Sequence, residues 1–148
     1  MFVAAFLSTL RVGSLCSGPI VLGGARMCSS SGSVSGILYA APAEHPTVRL
    51  FTKAGCTLCD VAKDVLQQAA QQHPHTLESV DITDPEHEAF LRRYKYDIPV
   101  LHIGETYWTK HRLSLEEAEQ ALSEAREGRF IARRGEPDAE RLERRKST

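Results

Sequence analysis

Two cysteines near the middle of the chain have the type and spacing that could do chemistry. Cys56 and Cys59 form a C-x-x-C pair, a spacing that allows a disulfide between them and exchange with other disulfides. The pair follows an apolar run over 47–52 and opens a stretch of helical periodicity over 58–72. A helix N-terminus stabilises a thiolate through its free N–H groups and partial positive charge. This placement predicts a reversible thiol–disulfide site, with structural cysteines or half of a zinc site as the alternatives.

The two cysteines are expected to have different roles. Cys56 stands at the lip of the predicted helix, where free N–H groups lower a thiol pKa from about 8.5 to roughly 3.5–7.5. It is therefore the expected nucleophile, and Lys53 adds positive charge from the preceding loop, while the carboxylate of Asp60 opposes a thiolate. Cys59 lies one turn further on and is the expected resolving thiol.

A metal site is the less favoured interpretation of the pair. Cys56 and Cys59 have the spacing of two zinc ligands, and His73 and His75 follow them in the chain. Those histidines are closer in sequence than the paired histidines of structural zinc sites. They also fall at the far end of the predicted helix, about 20 Å away at 1.5 Å per residue. We therefore expect no bound metal.

The pattern of apolar residues predicts the order β-α-β-α-β-β-α over residues 47–125. The predicted strands cover 47–52, 76–82, 99–103 and 106–109, and the predicted helices cover 58–72, 84–94 and 115–125. Two strands joined through a helix are parallel with a right-handed crossover, and Gly104-Glu105 indicates a hairpin between the last two. The expected fold class is α/β, with a four-stranded mixed sheet flanked by helices.

Local signals mark the ends and faces of these helices. Thr83 or Asp84 is the expected cap of the second helix, with Pro85 in its first turn. Ser114 and Glu117 predict a capping box at the third. The first helix is expected to bury a single apolar stripe, made of Leu58, Val61, Ala62, Val65, Leu66, Ala69 and Ala70.

The order of elements, the C-x-x-C pair and Ile98-Pro99-Val100 together resemble the thioredoxin fold. Within that superfamily, Phe51-Thr52-Lys53 is similar to the segment that precedes the cysteines of glutaredoxins. Leu50 and Gly55 stand where thioredoxins themselves have an acidic residue and a tryptophan. The chain therefore resembles the small glutaredoxin-like branch, over about residues 47–125.

This resemblance implies a thiol–disulfide oxidoreductase. It implies a Cys56–Cys59 disulfide in the oxidised form, and a cis peptide bond at Pro99, beside the pair. The backbone of Ile98 would then pair with an extended substrate. A trans proline at the start of a strand is the alternative for Pro99.

Glutathione is the co-substrate that the resemblance suggests, although two family features are replaced. Glutaredoxins carry Thr-Val before the proline, where this chain has Asp97-Ile98, and a Gly-Gly after the fourth strand, which is missing from 108–113. Lys53 and Arg112 remain as candidate partners for the carboxylates of glutathione. A solvated turn is the alternative for Arg112. The expected partners are a disulfide-containing protein or a glutathione mixed disulfide, with no tightly bound cofactor.

Two other functions stay open. One is a non-catalytic binding module that presents the aromatic side chains of Tyr94, Tyr96, Trp108 and Phe130, although core packing is the favoured role of Tyr94 and Trp108. The other is an iron–sulfur cluster bridged between subunits, as in single-cysteine glutaredoxins, for which the second cysteine makes this chain less apt.

The charge distribution excludes some partners. Residues 44–125 carry eight basic and fourteen acidic residues, the opposite of the basic face that nucleic-acid binding requires. No apolar run reaches the roughly 18 residues that span a bilayer. We therefore expect a protein that binds neither nucleic acid nor membrane, and a monomer.

The two ends of the chain differ from its middle. Residues 1–36 contain eight Ser, Arg11, Arg26 and no acid, which is typical of a mitochondrial transit peptide. A secretory signal or an uncleaved disordered tail, with a cytoplasmic location, are the alternatives. Residues 37–46 are expected to be a linker, and 126–148 a charged extension that is a frayed helix or disordered.

Overall fold

The computed structural model describes residues 32–147 and confirms the predicted α/β, thioredoxin-like fold. Five strands form one mixed sheet with helices on both faces, and a 3₁₀ turn over Pro85–His87 precedes the second helix. The elements are β1 Gly36–Tyr39, β2 Thr47–Thr52, α1 Thr57–Ala69, β3 Thr76–Asp81, α2 Glu88–Tyr94, β4 Val100–Ile103, β5 Thr106–Lys110, α3 Leu115–Arg126 and α4 Ala139–Lys146.

The sheet has the strand order β1-β3-β2-β4-β5. Strands β2 and β3 are parallel across the α1 crossover, as predicted, and β4 and β5 form the predicted antiparallel hairpin. Strand β4 runs antiparallel to β2, with Phe51 opposite Val100. The C-terminal end of β2 and the N-terminal end of β4 therefore lie at the same edge of the sheet, and both site loops depart from that edge.

Two apolar clusters fill the space between the sheet and its helices. Val48 and Leu50 of β2 pack with α1 and α3 on one face, whereas Phe51 packs with Tyr94 of α2 on the other. This division follows from the two-residue period of a strand, which sends successive side chains to opposite faces. Because β2 is covered on both faces, it is the rigid element that positions the cysteine loop.

The buried stripe of α1 is narrower than predicted. Its buried residues are Cys59, Ala62, Leu66 and Ala69. Leu58 and Val61 were expected in the core, but they are 46% and 56% exposed. The helix is apolar over more than its buried face, and periodicity alone does not show which apolar residues face the sheet.

The predicted helix ends are partly confirmed. The capping box at α3 is present, with the Glu117 N–H donating to the Ser114 hydroxyl and the Ser114 N–H donating to the Glu117 carboxylate. Asp84 occupies the predicted N-cap position with Pro85 in the first turn, but of the 3₁₀ turn that precedes α2. Its side chain makes no capping hydrogen bond, and the Thr83 hydroxyl donates to Asp81.

The predicted linker over 37–46 is wrong in its first part, and the sheet has five strands rather than four. Gly36–Tyr39 is an edge strand that pairs antiparallel with β3. The Tyr39 hydroxyl lies 2.6 Å from Nε2 of the buried His75, while Ser33 and Ser35 each donate to Asp84. Residues 33–36 therefore belong to the domain, whereas residues 1–31 of the predicted transit peptide lie outside the described residues.

The extension over 126–147 is also more ordered than predicted. The Arg133 N–H donates to the Tyr107 carbonyl on the edge strand β5. Helix α4 then packs against α2, where Glu140 pairs with Arg92 and Glu143 with Lys95. The sequence predicted a frayed helix or disorder for this extension, and the structure has a helix, α4, held by ion pairs and by the burial of Ala139.

No helix in residues 32–147 is both long enough and apolar enough to span a membrane.

Candidate redox site

Cys56 lies at the N-cap of α1, where the chain turns from the sheet edge into the helix. Its Sγ accepts the backbone N–H of Cys59 at 3.3 Å, and the Cα atoms of the two residues are 5.2 Å apart. The two sulfurs form the predicted Cys56–Cys59 disulfide. An N-cap sulfur close to the free N–H groups of the helix is placed where a thiolate is stabilised.

The two sulfurs differ in access to solvent. Cys56 is half-buried, whereas Cys59 is fully buried beneath it in the face of α1 that packs on the core. An incoming disulfide therefore meets Cys56 first. This asymmetry is the one that a nucleophile and a resolving thiol require.

The charges around the pair are only partly those expected. Lys53 is exposed, and its side chain makes no hydrogen bond or ion pair within residues 32–147, which leaves it available to an anionic ligand. Asp60, which opposes a thiolate, pairs with Lys63 at 3.1 Å one helical turn away. That pairing offsets part of the negative charge near Cys56.

The proline loop reaches the same sheet edge from β4. The Ile98–Pro99 peptide bond is cis, as the resemblance implied, and the Pro99 carbonyl accepts the N–H of His111 at 2.8 Å. Because Phe51 lies opposite Val100, residues after Phe51 and residues before Val100 run side by side. The fold thus brings the loop of Lys53 and Cys56 and the loop of Ile98 and Pro99 to one edge.

Asp97 lies in this loop, two residues before the cis-proline. Its side chain is largely buried and lies 2.5 Å from Nζ of Lys110 and 3.1 Å from Nε2 of His111. His111 itself has a φ of +67°, which is uncommon for a residue with a side chain. Asp97 therefore ties the proline loop to the segment that follows β5. Its partners come from another strand, so no local signal marks it.

A groove of about 280 Å³ lies beside the cysteine helix. Leu58 and Val61 form its wall on α1, and the opposite wall is the segment over 111–113, which includes Arg112. Exposed apolar side chains beside a reactive sulfur offer a contact surface for a substrate. Arg112 is thus brought to the cysteine helix, as a ligand-binding role requires. The groove itself was missed, because Leu58 and Val61 had been assigned to the core.

The alternative zinc site does not assemble from the predicted histidines. Nδ1 of His75 lies 2.8 Å from the His73 carbonyl and Nε2 lies 2.6 Å from the Tyr39 hydroxyl. Burial lowers the pKa of His75, which keeps the ring neutral. With one nitrogen donating and the other accepting, His75 has no free lone pair for a metal.

Comparison with known proteins decides the family. The sequence model of the glutaredoxin-like domain (DUF836) matches residues 47–123, which run from β2 into α3 and contain the cysteine pair and the proline loop. The chain belongs to this glutaredoxin-like family. It is also similar to a glutaredoxin-like protein YDR286C homolog of Dictyostelium discoideum, with 31% identity over 70 residues. That match covers 45% of this chain and 65% of the relative.

The family match ends before α4 and begins after β1. The glutaredoxin-like domain model therefore accounts for the cysteine helix and the proline loop, but not for the two elements that were predicted as linker and tail. Tyr94 and Trp108 are buried in the core, as favoured from the sequence. They are not available as the aromatic contacts of a binding module, whereas Tyr96 is 63% exposed.

Proposed function

We propose that this glutaredoxin-like protein is a thiol–disulfide oxidoreductase with Cys56 as nucleophile and Cys59 as resolving thiol. The observation that supports it most is the half-buried Sγ of Cys56 at the N-cap of α1, directly above the buried Cys59. Family membership supports the same chemistry.

The reaction begins with the reduced pair. The Cys56 thiolate attacks one sulfur of the substrate disulfide, the S–S bond breaks, and the other substrate sulfur leaves as a thiolate that takes up a proton. Cys59 then loses its proton and attacks Cys56 in the mixed disulfide. This step releases the second substrate thiol and leaves the Cys56–Cys59 disulfide, so two electrons have passed to the substrate. Two external thiols reduce the pair again and are themselves joined in a disulfide.

We propose glutathione as the thiol that completes this cycle. Lys53, whose side chain is unpaired within 32–147, supplies positive charge from the loop before Cys56, and Arg112 supplies it from the groove beside α1. Glutathione carries two carboxylates, which match these two cations. The backbone of Ile98, next to the cis-proline, is the proposed site for main-chain hydrogen bonds of the bound thiol.

The test of the redox function is reduction of a disulfide reporter. Wild-type protein is expected to reduce it in the presence of a dithiol, and Cys56→Ser to lose the activity. Cys59→Ser is expected to accumulate a mixed disulfide, because the nucleophile remains and the resolving thiol does not. Equal activity of wild type and Cys56→Ser would overturn the proposal.

The test of glutathione is the mass of Cys59→Ser after incubation with oxidised glutathione. One covalent glutathione on Cys56 is expected, with the double variant Cys56→Ser/Cys59→Ser as the control. Absence of the adduct, in a protein that still reduces the disulfide reporter with a dithiol, would refute the glutathione step alone.

A further inference from the structure

Helix α4 presents two arginines that no acidic side chain of the described chain neutralises. Arg141 and Arg145 are one helical turn apart and exposed, and neither guanidinium makes an ion pair or hydrogen bond within residues 32–147. Residues 126–148 carry eight basic and five acidic residues, whereas residues 44–125 carry eight basic and fourteen acidic residues. Helix α4 is therefore a basic element beside an acidic domain.

The acidic residues near these arginines are engaged elsewhere. Glu140 lies 3.2 Å from Arg92 and Glu143 lies 2.7 Å from Lys95, both on α2. The Asp138 carboxylate caps α4 by accepting the N–H of Arg141 at 2.9 Å. The acidic residues on one face of α4 thus form ion pairs with α2. The face that holds Arg141 and Arg145 is available to an anionic ligand.

Arg141 and Arg145 line a recess of about 370 Å³ whose other wall includes Asp97 and Lys110. The charges of Asp97 and Lys110 offset each other, since their side chains are 2.5 Å apart. Glu136, also in the wall, accepts hydrogen bonds from Tyr94 and Arg93 at 2.7 Å each. Asp138 also lines the recess, and its carboxylate accepts a backbone N–H rather than pairing with a cation. The two arginines without an ion pair outnumber this one carboxylate, so the recess keeps a net positive charge.

The recess adjoins the proposed redox site. Asp97, in its wall, directly precedes the cis-proline dipeptide and accepts a hydrogen bond from His111. His111 in turn lines the apolar groove beside Leu58 and Val61. The groove and the recess therefore lie on two sides of one Asp97–His111 contact.

We propose that this recess binds acidic side chains of a protein substrate, in an extended segment whose disulfide lies at Cys56. The inference rests on the proposed redox function and names its substrate class. An extended segment would place apolar side chains in the groove beside α1 and carboxylates against Arg141 and Arg145. A guanidinium binds a carboxylate in a bidentate manner. A segment that contacts both the groove and the recess must cross the Asp97–His111 contact. Because this needs a longer chain than the tripeptide glutathione, a protein substrate is favoured.

The test compares two short peptides, each with one cysteine held in a disulfide to a chromogenic thiol. One peptide has aspartates on both sides of the cysteine and the other has serines. Wild type is expected to show the higher kcat/KM on the aspartate peptide. Arg141→Glu/Arg145→Glu is expected to lower that value about tenfold, mainly through KM, because two charge-assisted contacts become repulsive. Its kcat/KM on the serine peptide is expected to stay unchanged.

The matched control is Arg126→Glu/Arg134→Glu, which makes the same change of charge at two exposed arginines that do not line the recess. It is expected to keep the wild-type preference for the aspartate peptide. An equal loss on both peptides, or an equal loss in the control, would overturn the assignment of the recess.

Binding is measured separately from turnover with Cys56→Ser and fluorescent peptides that lack a cysteine. The aspartate peptide is expected to bind more tightly than the serine peptide, with an affinity that falls as salt rises and that is lost in Arg141→Glu/Arg145→Glu. Equal affinity for the two peptides would refute the proposal that the recess binds acidic side chains. If the aspartate peptide binds through the two arginines but wild-type protein reduces neither peptide disulfide, the proposed redox function is refuted and the binding site stands.

Discussion

Replacing Glu136 by Ala is expected to destabilise the protein by about 2 kcal/mol. Glu136 accepts hydrogen bonds from the fully buried Tyr94 and from Arg93. A hydrogen bond to a charged group contributes about 1.5–3 kcal/mol, and the half-exposed Arg93 pair adds about 0–1 kcal/mol. The Tyr94 hydroxyl keeps His102 as a neighbour at 3.2 Å, which places the loss toward the lower end.

The measurement is urea unfolding of the reduced protein, together with Tm. For a domain of this size, about 2 kcal/mol corresponds to a fall in Tm of roughly 8 °C. A double-mutant cycle with Tyr94→Phe isolates the hydrogen bond, and we expect a coupling of at least about 1 kcal/mol between the two substitutions.

The matched control is Glu140→Ala, which removes another carboxylate of the extension that is paired with an arginine of α2. Arg92 and Glu140 are 55% and 43% exposed, so this substitution is expected to cost no more than about 0.5 kcal/mol. Additive effects in the Tyr94→Phe cycle, or an equal cost for Glu140→Ala, would show that Glu136 does not anchor the extension through Tyr94.

Three further predictions concern stability. Ser114→Ala is expected to lower the free energy of unfolding by about 1 kcal/mol, because it removes the side-chain cap of α3, and Ser114→Gly by only a few tenths; equal costs in chemical denaturation would contradict this. Burial lowers the pKa of His75, so the folded state favours the neutral ring, while the unfolded chain takes up a proton below about pH 6.5. The stability that the neutral ring contributes is therefore present above about pH 6.5 and falls as the pH drops toward the lowered pKa. His75→Gln is expected to have a shallower pH dependence of Tm over pH 5–7. An unchanged slope would refute the role of His75 in this pH dependence. Gly55 has a φ of +74° and no atom within 4 Å of an added Cβ, so Gly55→Ala is expected to cost about 1 kcal/mol through backbone strain alone; no change in the urea midpoint would contradict it.

Much of the fold was predictable because its signals are local. Ser114 and Glu117 are three residues apart, and a capping box needs only that spacing. The parallel pairing of β2 and β3 follows from the general rule for strands joined through a helix. The cis bond at Pro99 was predicted from the resemblance to a family and not from the residues alone.

The errors arose where distant segments meet. Gly36–Tyr39 is a short edge strand that pairs with β3. Nothing in these four residues themselves indicates that pairing. Leu58 and Val61 share the apolar character of their buried neighbours, so composition did not separate groove from core. Asp97 contacts Lys110, the last residue of β5, and His111, which lie 13 and 14 residues further along the chain.

The sequence by itself determined the chemistry proposed for this protein. The spacing of Cys56 and Cys59 at a helix start depends only on neighbouring residues, and so does the position of Cys56 at the N-cap. Only the tertiary structure decided what surrounds the sulfurs, because the groove joins α1 to 111–113 and the recess joins Asp97 to α4. Those surfaces are built from segments far apart in the chain, and packing alone brings them together.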